Sequence, residues 1–417
     1  MSNKLNIGLF GFGVVGEGLY KVLQQTQSLN ANIQKICIKH SSKKRNAPAE
    51  LFTTHADELL NDDSINVIVE LIDDANAAHY IVTNALKKGK AVVSANKKLI
   101  AENLDELLAL QKQYNVPFLY EAAACASIPV IRNLEEYYDN DLLQSVCGIV
   151  NGSTNFILTK MFREQLDFSE ALLLAQQLGF AESDPSLDIL GIDAVNKLAI
   201  LLVHAYGISQ SPQEILHNGI QNIKGSDAEY AVSKNYQIKL IARAVKLKNG
   251  KIAAFVLPHF ISEDSQLHYV ANEYNGVVIG SGFADKQFFY GKGAGSFPTA
   301  SAVLSDISAL RYNYRYEYKK KYYRQSAELT TNFHLKAYIS FDHSFQIPKE
   351  VFEWIEEWHS GQERSYLTGV ISFEKLLTDD WWKEDGVSLI LTTEPIIENV
   401  ALLQLKKKSL ELAGVEF

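Results

Sequence analysis

One feature near the start of the chain constrains its fold more than any other. The glycine string Gly11-Phe12-Gly13-Val14-Val15-Gly16 stands between a short apolar run and an amphipathic one. Residues 5–10 read as a buried strand and residues 17–25 as a helix. In that context Gly11 permits a tight turn and Gly13 lets the backbone approach a pyrophosphate. Gly16 allows close packing of helix on strand. The helix start offers free N–H groups and a positive dipole end to phosphates. The turn therefore predicts a Rossmann-type domain that holds a nicotinamide dinucleotide, with Phe12, Val14 and Val15 as part of the cradle.

The end of the second strand bears on which dinucleotide. An acid about 20 residues past the turn binds a ribose 2′-hydroxyl. This chain instead has Lys39-His40-Ser41-Ser42-Lys43-Lys44-Arg45, without an acid. Lys43, Lys44 and Arg45 suit a 2′-phosphate and favour NADP over NAD. The same residues also read as a solvated basic loop.

Beyond the turn, residues 33–38, 67–72, 91–94 and 117–120 read as strands and 77–88 and 104–114 as helices. That alternation argues for βαβ units in a doubly wound parallel sheet. The middle of the chain differs. Strands are expected at 145–151, 252–257, 267–270 and 276–279, and helices at 155–163, 169–179 and about 189–206, which points to an α+β unit. Gly291-Lys292-Gly293-Ala294-Gly295 leads into a helix over 299–310. A tyrosine- and lysine-rich tract, 311–324, follows. Strand patterns at 334–341, 366–373 and 387–393 and a helical one at 349–358 suggest a small third α+β unit. The expected fold class is thus α/β with three parts. These are a dinucleotide-binding domain (1–130 plus about 296–320), a catalytic and dimerisation domain (131–295), and a C-terminal, regulatory-type domain (325–417).

With 417 residues, two or three domains are expected. A net charge of −9 does not advertise nucleic-acid binding. Cys37, Cys125 and Cys147 are odd in number and lack metal-ligand spacing, which fits a reducing cytosol. No apolar run approaches the ~18 residues needed to span a bilayer. A cytoplasmic protein without membrane or nucleic-acid partners is expected. Alternating tyrosines and basic residues in 311–324 would suit stacking on single-stranded bases, but an ordered connector is the simpler reading.

Between Ile189 and Tyr206 the only ionisable residues are Asp193, Lys197 and His204. Asp193 and Lys197 share a helical face, one turn apart. A buried charge is costly unless paired, so these two either satisfy each other or form a lysine poised by a carboxylate for proton transfer. His204 reads as a satisfied structural histidine. Upstream, Glu182, Asp184 and Asp188 crowd one loop. Convergent acids there suit an ammonium-bearing substrate, and Asp184 and Asp188 equally suit helix caps.

Together these segments resemble homoserine dehydrogenase. The resemblance is carried by the glycine turn, Ser94-Ala95-Asn96-Lys97-Lys98, Gly148-Ile149-Val150-Asn151-Gly152-Ser153-Thr154-Asn155, the Glu182 to Lys197 spacing, and the Gly291 to Ser305 segment. It spans roughly residues 5–310 and implies NAD(P)-linked interconversion of L-homoserine and L-aspartate 4-semialdehyde. On that pattern Lys197 transfers the proton at the substrate oxygen, Lys97 lies near the reacting carbon, and Asp193 supports the transfer. Glu182 binds the substrate ammonium with Asp188 nearby, and Asn151, Gly152 and Ser153 complete the substrate site. Ser94, Asn96, Lys97 and Gly293 would line the cofactor. The resemblance also implies a homodimer and a monovalent cation, Na⁺ or K⁺, held by Glu121 and the carbonyls of Ala124, Ala126 and Ile128.

Three departures stand out. The hinge segment has Cys125, Ala126 and Ser127 where the family is richer in glycine. Asp73-Asp74 replaces two glycines, and these acids are expected to face solvent or cap the next helix. The tail has the length of an ACT-type amino-acid-binding domain but lacks its Asp-x-Pro-Gly turn. The rival enzyme reading is another two-domain dehydrogenase with a lysine acid, acting on a sugar or amino acid.

Overall fold

The computed structural model describes residues 4–140, 142–323, 326–361 and 364–399. The expectations for residues 1–3, for Arg324 and for 400–417 lie outside these.

The first sheet is built from β1 (Leu5–Phe10), β2 (Ala31–Cys37), β3 (Phe52–Thr53), β4 (Val67–Glu70), β5 (Ala91–Ser94) and β6 (Phe118–Leu119). All pairings are parallel, in the order β3-β2-β1-β4-β5-β6. Ile7, Leu9, Ile68, Val69, Val92 and Val93 are fully buried. Both faces are covered, which is why these strands are apolar runs rather than alternations. Helices α1 (Val14–Gln25), α2 (Ala75–Lys87) and α3 (Lys97–Tyr114) cross between strands. The strand order reverses direction between β1 and β4, and the crevice beyond such a switch point is where doubly wound sheets bind ligands.

The second sheet is nine-stranded. It contains β7 (Leu143–Ile149), β8 (Tyr236–Lys246), β9 (Ile252–Ser262), β10 (Tyr274–Ser281), β11 (Asp285–Lys292), β12 (His334–Asp342), β13 (Phe352–Ser360), β14 (Arg364–Ser372) and β15 (Val387–Ile397). The order is β11-β10-β7-β8-β9-β15-β12-β14-β13. Helices α4 (Gly152–Arg163) and α5 (Ile192–Tyr206) belong to this half, and helix α6 (Ser296–Leu310) returns to the first. The Ser296 hydroxyl donates to the Val14 carbonyl at 2.7 Å, and a Cβ on Gly18 would meet Ser296 Oγ at 2.5 Å. That glycine lets α1 and α6 touch.

The C-terminal strands pair antiparallel with one another, and β15 joins β9 through a parallel Leu391–His259 pairing. They extend the second sheet and build their own core of Phe333, Leu335, Leu367, Trp382 and Leu389.

Three local expectations need correction. The helix expected over 349–358 is a turn, Lys349–Val351, followed by strand β13. Pairing with β14, which no local pattern records, decides the matter, and the run is rich in aromatic residues suited to a pleated surface. The strand expected over 267–270 is a 3₁₀ turn, Gln266–Tyr269, started by the Ser265 hydroxyl accepting from Leu267 N. The helix expected over 189–206 is split. Ser186–Ile189 ends before Gly191, whose φ of +81° breaks the path, and α5 begins at Ile192.

The tyrosine-rich tract is an ordered connector. Tyr316 and Tyr318 are buried, Tyr318 Oη is 2.9 Å from Tyr120 Oη, and Lys320 Nζ donates to the carbonyls of Leu134 and His204. His204 is buried between Glu135 (2.7 Å) and the Tyr120 hydroxyl (2.9 Å). Among the described residues no helix is long and apolar enough to cross a membrane.

Candidate active site

The turn after β1 has the shape its glycines predict. Gly11 has φ +92°, and a Cβ there would lie 2.5 Å from the Leu71 carbonyl oxygen. A Cβ on Gly16 would lie 2.3 Å from Gly11 O. Gly13 differs, since nothing lies within 4 Å of where its Cβ would be. It also precedes α1 with no side-chain cap, so the helix start is left open to solvent. An open glycine before an uncapped helix is what a dinucleotide pyrophosphate requires, and the turn fits that group. Phe12 packs edge-on against Phe52 at 5.2 Å. Arg45 lies 5.6 Å above the same Phe52 ring and donates to the carbonyls of Lys43 and His40. Lys43 and Lys44 are exposed beside it.

Behind the turn lies a buried acid. Glu70, at the end of β4, accepts from the Ser94 hydroxyl at 2.6 Å and from Ile72 N at 2.7 Å. Burial pushes its carboxyl up to about 7. Asn96 caps α3 through Leu99 N and donates to the Ile72 carbonyl. Ser94 and Asn96 thus tie the ends of β4 and β5 together. Asp74 caps α2 as expected, accepting from Asn76 N and Ala77 N, whereas Asp73, though exposed, lines the cleft described below.

The reactive groups gather where the two halves face each other. Asp193, in the first turn of α5, is 4% exposed. Its Oδ1 is 2.6 Å from Lys97 Nζ, and its Oδ2 is 2.8 Å from Lys197 Nζ. Asn151 Nδ2 donates to Asp193 Oδ2 at 2.8 Å and to Asp188 Oδ1 at 2.6 Å. Asn151 Oδ1 caps α4 through Thr154 N. Burial opposes ionisation of Asp193, but Lys197 and Lys97 outweigh it and hold the carboxyl well below its ordinary range. Asp193 in turn holds the Lys97 ammonium above its ordinary value. Burial and the nearby Asp193 charge raise Asp188. Lys197 Nζ also donates to the Val150 carbonyl at 2.7 Å. That leaves one of its three N–H bonds free of those partners.

These groups line a cleft of about 660 Å³. Val15, Ile72, Ala95 and Lys97 come from the first half, and Asn151, Gly152, Ser153, Glu182, Asp188, Asp193 and Lys197 from the second. Gly293 to Thr299 close one side. Gly293 is pinned against Asn275, whose side-chain nitrogen would lie 1.9 Å from an added Cβ. The Ser153 hydroxyl donates to the Phe180 carbonyl, so it holds the cleft wall rather than pointing free.

At the hinge, Glu121 is tied to the backbone of the helix that follows. Both carboxylate oxygens of Glu121 accept amides, from Ile131 and Arg132, at 2.9 Å. Burial, with Asp306 nearby, pushes Glu121 up to about 8. The Ile128 carbonyl accepts from Val130 N. Ala126 takes a φ of +43°. Each Glu121 oxygen thus spends one lone pair on an amide, which ties the hinge to the start of the next helix.

Sequence reasoning missed Glu273, Lys292 and Glu70. Glu273 and Lys292 both line the cleft, 3.3 Å apart. Lys292 was legible, since it interrupts the glycine string before α6; Glu273 carries no local signal.

Comparison with known proteins agrees with this geometry. The family model described as homoserine dehydrogenase matches residues 129–308, and that for the homoserine dehydrogenase NAD-binding domain matches 11–121. Homoserine dehydrogenase of Bacillus subtilis is 36% identical over 320 residues, 75% of this chain and 74% of that protein. The Helicobacter pylori enzyme is 38% identical over 314 residues, 74% of each chain. The crystal structure of a homoserine dehydrogenase from Thiobacillus denitrificans superposes with a TM-score of 0.80 at 27% identity, covering 93% of this chain and 98% of that one. A hyperthermophilic archaeal homoserine dehydrogenase in complex with NADPH gives 0.65 at 30% identity, covering 75% and 99%.

Proposed function

The chain belongs to the homoserine dehydrogenase family and is an NAD(P)-binding oxidoreductase of amino-acid biosynthesis, and on that premise we propose how its cleft works. The reaction interconverts L-aspartate 4-semialdehyde and L-homoserine. The observation that carries the reading is one buried carboxylate, Asp193, gripping a lysine from each half of the cleft.

Gly11, Gly13 and Gly16 with the first turn of α1 would hold the dinucleotide diphosphate, and Gly293 to Ser296 would bound its nicotinamide end. The cofactor supplies or accepts a hydride. In the reducing direction, negative charge develops on the aldehyde oxygen as the carbon is reduced. Lys197 has one N–H left for that oxygen and donates its proton there; in the reverse direction it takes the proton back. Lys97 adds a second positive charge next to the same atom. Such groups lower a barrier when they are aimed where charge develops. Asp193 does not touch the reacting atoms in this scheme. It is a positioning residue that fixes both ammonium groups, and Asn151 fixes Asp193. Glu182 and Asp188 take the substrate ammonium.

Arg45, folded over Phe52 beside the turn, supports NADP as the preferred cofactor, with Lys43 and Lys44 adding charge for a 2′-phosphate. The C-terminal succession strand, turn, strand, strand, helix, strand supports a reduced ACT-type unit in which the first helix has shrunk to Lys349–Val351. The exposed rings of Tyr269, Phe283 and Tyr290 favour a homodimer contact at the β10–β11 end of the second sheet.

The test of the reading is spectrophotometric. The protein with aspartate semialdehyde should oxidise NADPH faster than NADH. No turnover with either nucleotide, while Lys197→Ala still binds cofactor as the wild type does, would sink it.

A further inference from the structure

Homoserine carries an α-carboxylate as well as an ammonium group and a hydroxyl. The groups so far placed in the cleft answer the ammonium and the hydroxyl. Three cations line the cleft among the described residues: Lys97, Lys197 and Lys292. The first two are held on Asp193. Asn151 spends its amide on Asp188 and Asp193, and the Ser153 hydroxyl is spent on Phe180 O. Lys292 is the cation left over.

Its position is built rather than incidental. The Lys292 carbonyl accepts from both the amide and the hydroxyl of Ser127, at 3.3 and 2.9 Å. That ties the end of β11 to the hinge. The ammonium lies 5.5 Å from the centre of the Tyr274 ring, which stacks on Tyr290 at 5.0 Å. Glu273 Oε1 is 3.3 Å away, a longer contact than the 2.6–2.8 Å pairs at Asp193.

The Glu273 loop is itself clamped. Asn155 Nδ2 donates to the carbonyls of Asn272 and Tyr274, at 2.9 and 3.1 Å. The buried Lys239 donates to Asn155 Oδ1 and to Val270 O. The same loop abuts the start of α4, since a Cβ on Gly152 would lie 2.6 Å from Glu273 O. Lys292 is therefore one side chain away from the first turn of α4, where Gly152 and Ser153 line the cleft.

We infer that Lys292 is a specificity residue that meets the α-carboxylate of homoserine, together with the positive end of α4, opposite the acids Glu182 and Asp188. The inference rests on the homoserine reading above and adds the carboxylate subsite to it. On binding, the carboxylate takes over Lys292 from Glu273. A substrate with an ammonium and a hydroxyl but no carboxylate gains nothing from this lysine.

The probe that separates these cases is 3-aminopropan-1-ol, which is homoserine without its carboxylate. It is measured beside homoserine as an alternative substrate, or as a competitive inhibitor where turnover is too slow. Lys292→Met should lower kcat/KM for homoserine by about 10- to 50-fold, the scale of a charged hydrogen bond. The constant for 3-aminopropan-1-ol and the KM for NADP⁺ should not move, and Lys292→Arg should recover most of the loss. Equal losses for both substrates would overturn the inference, as would a rise in the NADP⁺ KM with homoserine unaffected. A wild type that oxidises homoserine while Lys292→Met does so equally well overturns this inference alone. A wild type inert toward homoserine with either nucleotide overturns the parent reading as well.

Discussion

Asp193 and Lys97 lie 2.6 Å apart although they belong to different halves of the molecule, one on α5 beside the second sheet and the other at the start of α3 in the first. This pair closes the cleft electrostatically. It also makes the two lysines depend on one another, because the same carboxylate holds Lys197. Asp193→Asn should leave the fold intact and reduce kcat by about 10²- to 10⁴-fold, the range of a lost acid–base arrangement. Steady-state kinetics with a circular dichroism control would check this; an unchanged kcat would remove Asp193 from the scheme.

Groups that act as a unit are not additive. Lys97→Ala and Lys197→Ala should each cut turnover severely, and the double variant should cost far less than the product of the two losses. NADPH binding, followed by fluorescence, should survive Lys197→Ala. Fully multiplicative losses would mean that the lysines work separately.

The glycine turn makes a paired prediction. Gly13 has open space where a Cβ would go, so Gly13→Ala should fold with a wild-type melting temperature and yet bind the dinucleotide much more weakly. At Gly16 the added carbon meets backbone, Gly11 O, at 2.3 Å. Gly16→Ala should therefore destabilise the protein itself, by about 1–3 kcal/mol as overpacking does. Thermal melts and nucleotide titrations on both variants distinguish these outcomes.

Arg45→Ala should raise the KM for NADPH about 10-fold while leaving that for NADH unchanged. Equal effects on both nucleotides would make Arg45 a packing residue over Phe52 rather than a phosphate ligand.

Glu70 gives a pH signature. Its carboxyl is raised by burial to about 7, against 4.5 for the ordinary group. Between those values the folded state binds the proton that the unfolded state has released. The stability tied to it is complete below pH 4.5 and is lost as pH rises through 7. The loss is at most about 3 kcal/mol. Glu70→Gln, measured by urea denaturation from pH 4.5 to 8, should show a flatter profile than the wild type. Parallel profiles would show that the carboxyl is already ionised throughout.

Much of the first half was legible because its signals are local. A glycine string between a strand and a helix has few structural solutions, and the apolar runs at 67–72 and 91–94 read as buried strands, which the sheet forms at Val67–Glu70 and Ala91–Ser94. The acid-and-lysine spacing on α5 was equally readable, as a one-turn separation. What failed was also physical. The 349–358 segment became β13 through pairing with β14, and Gly191 split a helix that its apolar neighbours would have continued. Ser94 and Asn96, read as cofactor residues, also bond to Glu70, Ile72 and Leu99 and join strand ends, a role no local pattern shows. Glu121, read as a cation ligand, also accepts the amides of Ile131 and Arg132, another tie that only the fold reveals.

The sequence by itself determined that a dinucleotide turn opens the chain and that Asp193 and Lys197 share a helix face, because both depend only on backbone preferences over a few residues. Only the tertiary structure decided that Lys97 reaches the same carboxylate, that Lys292 stands as the cleft's remaining cation, and that the C-terminal strands continue the second sheet. Those relations join residues roughly 20 to 130 positions apart, and they are set by the packing of the two halves, which no local propensity encodes.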